Sequence, residues 1–174
     1  MEINKQLEQV LEWSEVYKLP VKEDLTIPSQ DRIGLAFKLI DEELQETKNI
    51  IEKLYIAKKN DENLKTKDLV ELVDGFGDTL WVLYRAMMEF GVHNNLDEIF
   101  TAIYEANMSK LCDSEEQAQE TVDFYMETES LETYYEPVTN GKFAVKRTFD
   151  NKVLKNKYWF APDNKIQEII ERNS

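Results

Sequence analysis

The stretch KDLVELVDGFGDTLWVLYRAMMEF, residues 67–90, decides the fold. Leu69, Leu72, Val73, Phe76, Leu80, Leu83 and Met87 recur at the period of one helix face. The spacing predicts a helix from about Lys67 to Phe90, ended by Gly91 at the position that favours a left-handed residue. Upstream, Ser29 is placed as an N-cap and Asp31 sits in a first turn, where it favours the helix dipole. A second helix is expected from about Gln30 to Lys59, with Ile33, Phe37, Ile40, Leu44, Ile51 and Leu54 on its apolar stripe. Residues 60–66 (NDENLKT) form a polar connector between the two. Residues 3–17 read as a first helix, separated from the second by a connector bracketed by Pro20 and Pro28. Asn94 or Asn95 caps a fourth helix reaching about Lys110, with Leu96, Ile99, Phe100 and Ile103 inward. Short connectors between long helices make antiparallel neighbours, so the expectation is a mainly α protein built on an antiparallel helix bundle.

The composition changes after Lys110. From Leu111 to Gly141 there are nine acids and no Lys or Arg; from Lys142 to Lys157 there are six basic residues against Asp150 alone. Residues 114–127 are expected to form another helix. LETYYEPV and KFAVKRTF, joined through Thr139-Asn140-Gly141, read as a β-hairpin. Pro162 opens a short terminal helix. The expected division is an all-α catalytic core, 1–111, and a small α+β appendage, 112–174.

With 174 residues and a net charge of −14, the chain lacks the basic footprint of a nucleic-acid binder. One cysteine, Cys112, excludes an intrachain disulfide, and one histidine, His93, excludes any centre needing two histidines from one chain. Cys/His zinc sites are thereby excluded within one chain. No targeting segment and no run long and apolar enough to span a membrane is visible, and a reducing cytoplasm is the expected compartment.

Two acidic clusters carry the chemistry. In the second helix, Glu42-Glu43-Leu44-Gln45-Glu46 places Glu43 and Glu46 on the shoulder of the apolar stripe. In the third, Glu71, Asp74 and Asp78 fall on one stripe, with Trp81 beside it and Arg85 further along. Gly75 and Gly77 lie inside that helix, each costing about 1 kcal/mol relative to alanine; close approach of another helix or a ligand is one reason to accept that cost. All-oxygen donors suit Mg²⁺ or Mn²⁺, and such ions suit phosphoanhydride hydrolysis. A di-iron carboxylate bundle needs Glu-x-x-His on two helices, and the lone His93 does not supply it. The competing reading of the acids is a solvated helix face.

Together, E-E-x-x-E at 42–46, E-x-x-D-G-x-x-D at 71–78 and Asn107-Met108-Ser109-Lys110 resemble the all-α NTP pyrophosphohydrolases. These are the MazG-like and phosphoribosyl-ATP pyrophosphohydrolase-like proteins, related to the dimeric dUTPases. The tail DNKVLKNKYWFAPD resembles a family ending. The resemblance covers roughly residues 30–110 and 150–163. It implies cleavage of a (d)NTP between the α- and β-phosphates to a monophosphate and pyrophosphate. It implies Glu43, Glu46, Glu71 and Asp74 as catalytic residues and metal ligands, with Mg²⁺ the ion and Mn²⁺ an alternative. It sets Asn107 and Lys110 on the substrate side and matches Glu42 and Asp78 to acidic positions of less defined role.

Asp78, Trp81 and Lys155 complete the expected substrate contacts, Trp81 as a stacking surface for a base or else as core, Lys155 as a phosphate ligand or else solvated. Arg85 pairs with an acid or contacts a phosphate. His93 reads as a loop residue and Cys112 as inert. The alternatives to an NTP substrate are phosphoribosyl-ATP, and a non-catalytic acidic helical module. The expected partners are the nucleotide substrate, no nucleic acid polymer, no membrane, and further copies of the chain in a homodimer or homotetramer.

Overall fold

The computed structural model describes residues 5–173. It is mainly helical, with six helices and a two-stranded sheet, the fold class expected. The chain divides into two compact units, one of residues up to Asn95 and one from Leu96 to Arg172. The start of the first expected helix, at residue 3, lies outside the described residues.

The first unit contains α1 (Lys5–Val16), α2 (Gln30–Lys59), α3 (Thr66–Glu89) and a 3-10 turn at His93–Asn95. α2 has the bounds that periodicity predicts. Ser29 holds the N-cap position in extended backbone, but its hydroxyl makes no capping bond. The α2–α3 connector turns at Asp61, in the left-handed region, where Glu62 N–H donates to the Ala57 carbonyl. Asp68 then fastens the start of α3: its carboxylate accepts the Lys65 N–H at 2.8 Å while its own N–H donates to the Lys65 carbonyl. That bond, and Lys53 after it, holds the Asp68 carboxyl below the usual range. At the other end of α3, Gly91 takes φ +70° and Val92 N–H donates to the Met87 carbonyl, the expected left-handed stop. A Cβ on Gly91 would lie 2.0 Å from the Asp24 carbonyl oxygen, so both its angle and its space demand glycine.

α2 and α3 are antiparallel neighbours, paired at one end through Arg32 and Glu89 and at the other through Lys53 and Asp68. Between them Thr47 donates its hydroxyl proton to the Gly75 carbonyl at 2.9 Å and lies 3.0 Å from the Thr79 hydroxyl. A Cβ on Gly75 would meet Thr47 Oγ1 at 2.9 Å, so this glycine does admit a neighbouring helix; around Gly77 there is open space. We expect Gly75→Ala to lower stability by a net ~1 kcal/mol in urea unfolding, because overpacking outweighs alanine's better helix propensity. An unchanged or raised midpoint would show the contact to be slack.

Much of the two apolar stripes is not buried within the chain. Phe37 is 71% exposed and Val73 68% exposed, and Ile33, Leu44, Ile51, Leu69, Phe76 and Leu80 are exposed with them. At the middle of the pair α2 and α3 meet through Thr47 and Gly75, and many of their apolar side chains are left exposed. The small buried core of this unit is Leu7, Val10, Ser14 and Met88, where α1 packs on α3.

The second unit contains α4 (Leu96–Met108), α5 (Glu115–Glu129), the antiparallel strands β1 (Thr133–Pro137) and β2 (Phe143–Arg147), and α6 (Asp163–Arg172). Ser114 caps α5, accepting the Gln117 N–H at 3.3 Å. The hairpin turns through Asn140 and Gly141, both at positive φ, as the Asn-Gly pair predicts. α5 covers the sheet around Cys112, Ala118 and Val145. On α4 the small residues Ala102 and Ala106 are buried, whereas Phe100 and Ile103 are exposed, the reverse of the expectation for both. Beyond the hairpin, Arg147 forms two hydrogen bonds with Asp150 and holds its carboxyl down to about 2. Among the described residues no helix is long and apolar enough to cross a membrane.

Candidate active site

The acids of α2 and α3 face a shared groove because the two helices run antiparallel and close. Glu46, Asn49 and Ile50 of α2 and Glu71, Asp74, Gly75 and Asp78 of α3 line a depression of about 390 Å³. Glu43 stands half-buried one turn before Glu46. Its carboxyl is pushed above the usual range by partial burial, then by the negative charges of Asp78, Glu46, Glu42 and Asp74. The four expected metal ligands Glu43, Glu46, Glu71 and Asp74 thus share one helix pair, with Asp78 among them.

The cation recorded on these acids is Lys53, which bonds Glu71 at 2.8 Å and Asp68 at 3.0 Å at the far end. Lys38 pairs with Glu42 at 3.6 Å on the outer side. Among the described residues no three acidic, histidine or cysteine side chains lie close enough together to hold an ion as they stand. The donor chemistry nevertheless fits a hard divalent cation: the groups are all carboxylates, and Glu46, Glu71, Asp74 and Asp78 line one groove.

One turn beyond the acids lies a second depression, about 270 Å³ and largely apolar, whose lining includes Trp13, Leu39, Trp81, Arg32 and Glu89. Trp81 meets Trp13 edge-on, ring centroids 5.5 Å apart. Arg85 resolves to pairing: it bonds Glu89 at 2.6 Å and donates to the Ser14 hydroxyl at 3.0 Å. Sequence reasoning did not single out Trp13, Arg32 or Glu89 for the site. No local signal marks them, since Arg32 and Glu89 are 57 positions apart and meet only through the helix pairing.

The other expected substrate residues belong to the second unit. Lys110 Nζ donates to Asn107 Oδ1 at 2.7 Å at the end of α4. Lys155 lies 3.4 Å over the Trp159 ring. The segment carrying Lys155 is held to the same last turn: Asn156 Nδ2 donates to the Ser109 and Leu111 carbonyls, and Trp159 Nε1 to the Ala106 carbonyl. Cys112 is buried, and burial pushes its thiol up, away from reactivity. His93 is buried in its 3-10 turn, and burial pushes its imidazole down.

The helical architecture and its paired acidic motifs are those of the all-α NTP pyrophosphohydrolase superfamily. Residues 12–107 match the model of the phosphoribosyl-ATP pyrophosphohydrolase family, and the chain belongs to that family. The matched span contains both acidic clusters, Trp13, Trp81 and Asn107, and ends before Lys110 and Lys155. The chain is 28% identical over 139 residues to a protein of Acanthamoeba polyphaga mimivirus called "Uncharacterized protein L479". That likeness covers 75% of this chain and 52% of the viral protein, so the chain spans about half the length of this curated relative.

Proposed function

We propose that the protein is a Mg²⁺-dependent nucleotide pyrophosphohydrolase that cleaves a (d)NTP to the (d)NMP and pyrophosphate. The observation that carries this reading is the convergence of Glu46, Glu71, Asp74 and Asp78 on one groove, with Glu43 within reach of their charges, in a chain whose family is one of hydrolases acting on phosphoanhydride bonds. Glu43, Glu46, Glu71 and Asp74 would hold the ion. A divalent cation bound there supplies positive charge to the phosphate oxygens and makes water more acidic.

The chain's own residues do the rest. An acid of the set accepts the proton of the attacking water. The bridging bond between the α- and β-phosphates breaks and the electron pair leaves on pyrophosphate. Trp13 and Trp81 form a dry wall for the base beside the acids. Asn107, Lys110 and Lys155 supply substrate contacts, the lysines as point charges for phosphate. The functional division we infer is a catalytic part, residues 1–111, and an appendage, 112–174; it assigns α4, a helix of the second compact unit, to the catalytic part.

The copies of the chain assemble as a homodimer or homotetramer. The many exposed apolar side chains of α2 and α3 support this, because exposed apolar patches mark interaction surfaces. The compartment we infer is the cytoplasm.

A magnesium titration tests the metal part. Mg²⁺ or Mn²⁺ is expected to raise the melting temperature of the wild type and EDTA to reverse the rise, because binding to the native state alone stabilises it. A melting curve indifferent to both ions at millimolar concentration would contradict it. The family description also favours phosphoribosyl-ATP as a second substrate to assay.

A further inference from the structure

The apolar pocket beside the acids has one polar end, made by Arg32, Arg85 and Glu89. Glu89 is buried beneath the two arginines. Its Oε1 accepts from Nη2 of both, and its Oε2 accepts from Arg32 Nε at 3.0 Å. Arg85 also donates to the Ser14 hydroxyl, the Pro20 carbonyl and the Met88 sulfur, and its side chain is only 9% exposed. Arg32 differs from both. Its side chain is 29% exposed, and its Nη1 donates to nothing among the described residues. A guanidinium carries five N–H donors and no acceptor. The Glu89 side chain is only 8% exposed, so the polar group offered to a guest is a donor.

The position along the helices sets which part of a guest meets it. Running down the antiparallel pair, Arg32 and Glu89 come first, then Leu39 with Trp81 and Val82, then Glu43 with Asp78. Arg32 and Glu43 are eleven residues apart, about 16 Å of helix axis, and Arg32 lines the pocket that lies between them. A nucleotide with its phosphates at the acids and its ring against Trp13 and Trp81 therefore points the ring edge farthest from the sugar at Arg32. That edge carries an oxo acceptor in uracil, thymine, guanine and hypoxanthine, and an amino donor in cytosine and adenine.

We propose that Arg32 is the base-selecting residue of this pocket, through a donated hydrogen bond that favours 4-oxo pyrimidines and 6-oxo purines over their amino counterparts. The inference rests on the pyrophosphohydrolase reading and on the pocket as base site. A donor facing an amino group leaves both without acceptors, which a water-poor pocket penalises. The Arg32–Glu89 contact is an ion pair that orients the guanidinium, so selection and the local fold share one residue.

The test compares kcat/KM for dUTP against dCTP and for dITP against dATP, in wild type, Arg32→Lys and Arg32→Gln. The wild type is expected to favour the oxo base at least about tenfold in both pairs. Arg32→Lys keeps a donor and a charge for Glu89, and keeps the preference. Arg32→Gln presents either a donor or an acceptor, and the ratios fall toward one. A purely structural role would lower all four values together and leave the ratios unchanged, which would overturn the assignment. So would a wild-type ratio of one or below, a result that stands even if Arg32→Gln does not fold. Turnover of none of the four by wild type would overturn the functional reading itself, and this assignment with it.

Discussion

A Glu46→Gln, Asp74→Asn double variant is expected to lose pyrophosphate release by at least about a thousandfold while melting no lower than the wild type without metal. Both residues line the acidic groove, and both contribute to the negative field that raises the Glu43 carboxyl. Loss of even a supporting group around a metal costs about 10–100-fold in affinity or activity, and two ligands lost together cost more. The stability half follows from the same field. Acids three and four residues apart on a helix repel one another, so replacing two by neutral isosteres relieves the helix pair. Activity within tenfold of wild type would remove these residues from the site. A solvated acidic face, the competing reading of the motifs, predicts that result.

Val73→Glu is expected to convert the assembled protein to a monomer and to lower its melting temperature by about 10 °C. In the single chain Val73 is 68% exposed, and a charge at such a position is ordinarily tolerated within about 0.5 kcal/mol. Its neighbours on that face, Leu69, Phe76 and Leu80, are exposed as well. If a second copy covers them, the new carboxylate is buried without a partner, at a cost of about 3 kcal/mol or more. For a chain of this length that amounts to roughly 6–12 °C. Sedimentation analysis of wild type and variant reads the outcome directly. A monomeric wild type, or a variant that assembles and melts like it, would contradict the proposed assembly.

Local chemistry made the helices legible. The apolar period and the polar connector place α2 correctly at both ends, Gly91 stops α3 for the reason a glycine there implies, and Asn140-Gly141 turns the hairpin. The direction in which the apolar faces point was not legible. Periodicity reports that a helix has an apolar stripe, not which surface covers it, and here Leu69, Val73 and Leu80 are left exposed while small Thr47 and Gly75 meet at the middle of the pair. Phe100 misled for the same reason, with Ala102 and Ala106 buried in its place.

The acidic groove was legible because its residues repeat at three and four positions on two neighbouring helices. The pocket beside it was not. Trp13, Arg32, Trp81 and Glu89 come from three separate helices, and only the packing of α1 and α2 on α3 assembles them.

The most direct measurement is phosphorus NMR of a nucleoside triphosphate turned over by the full-length protein with Mg²⁺, beside an EDTA control. The account predicts signals of the monophosphate and pyrophosphate growing in equal amounts, and none with EDTA. Diphosphate with inorganic phosphate would place the cut at the wrong bond. No product from any nucleoside triphosphate, or from phosphoribosyl-ATP, would contradict the assignment of the acidic groove as an active site.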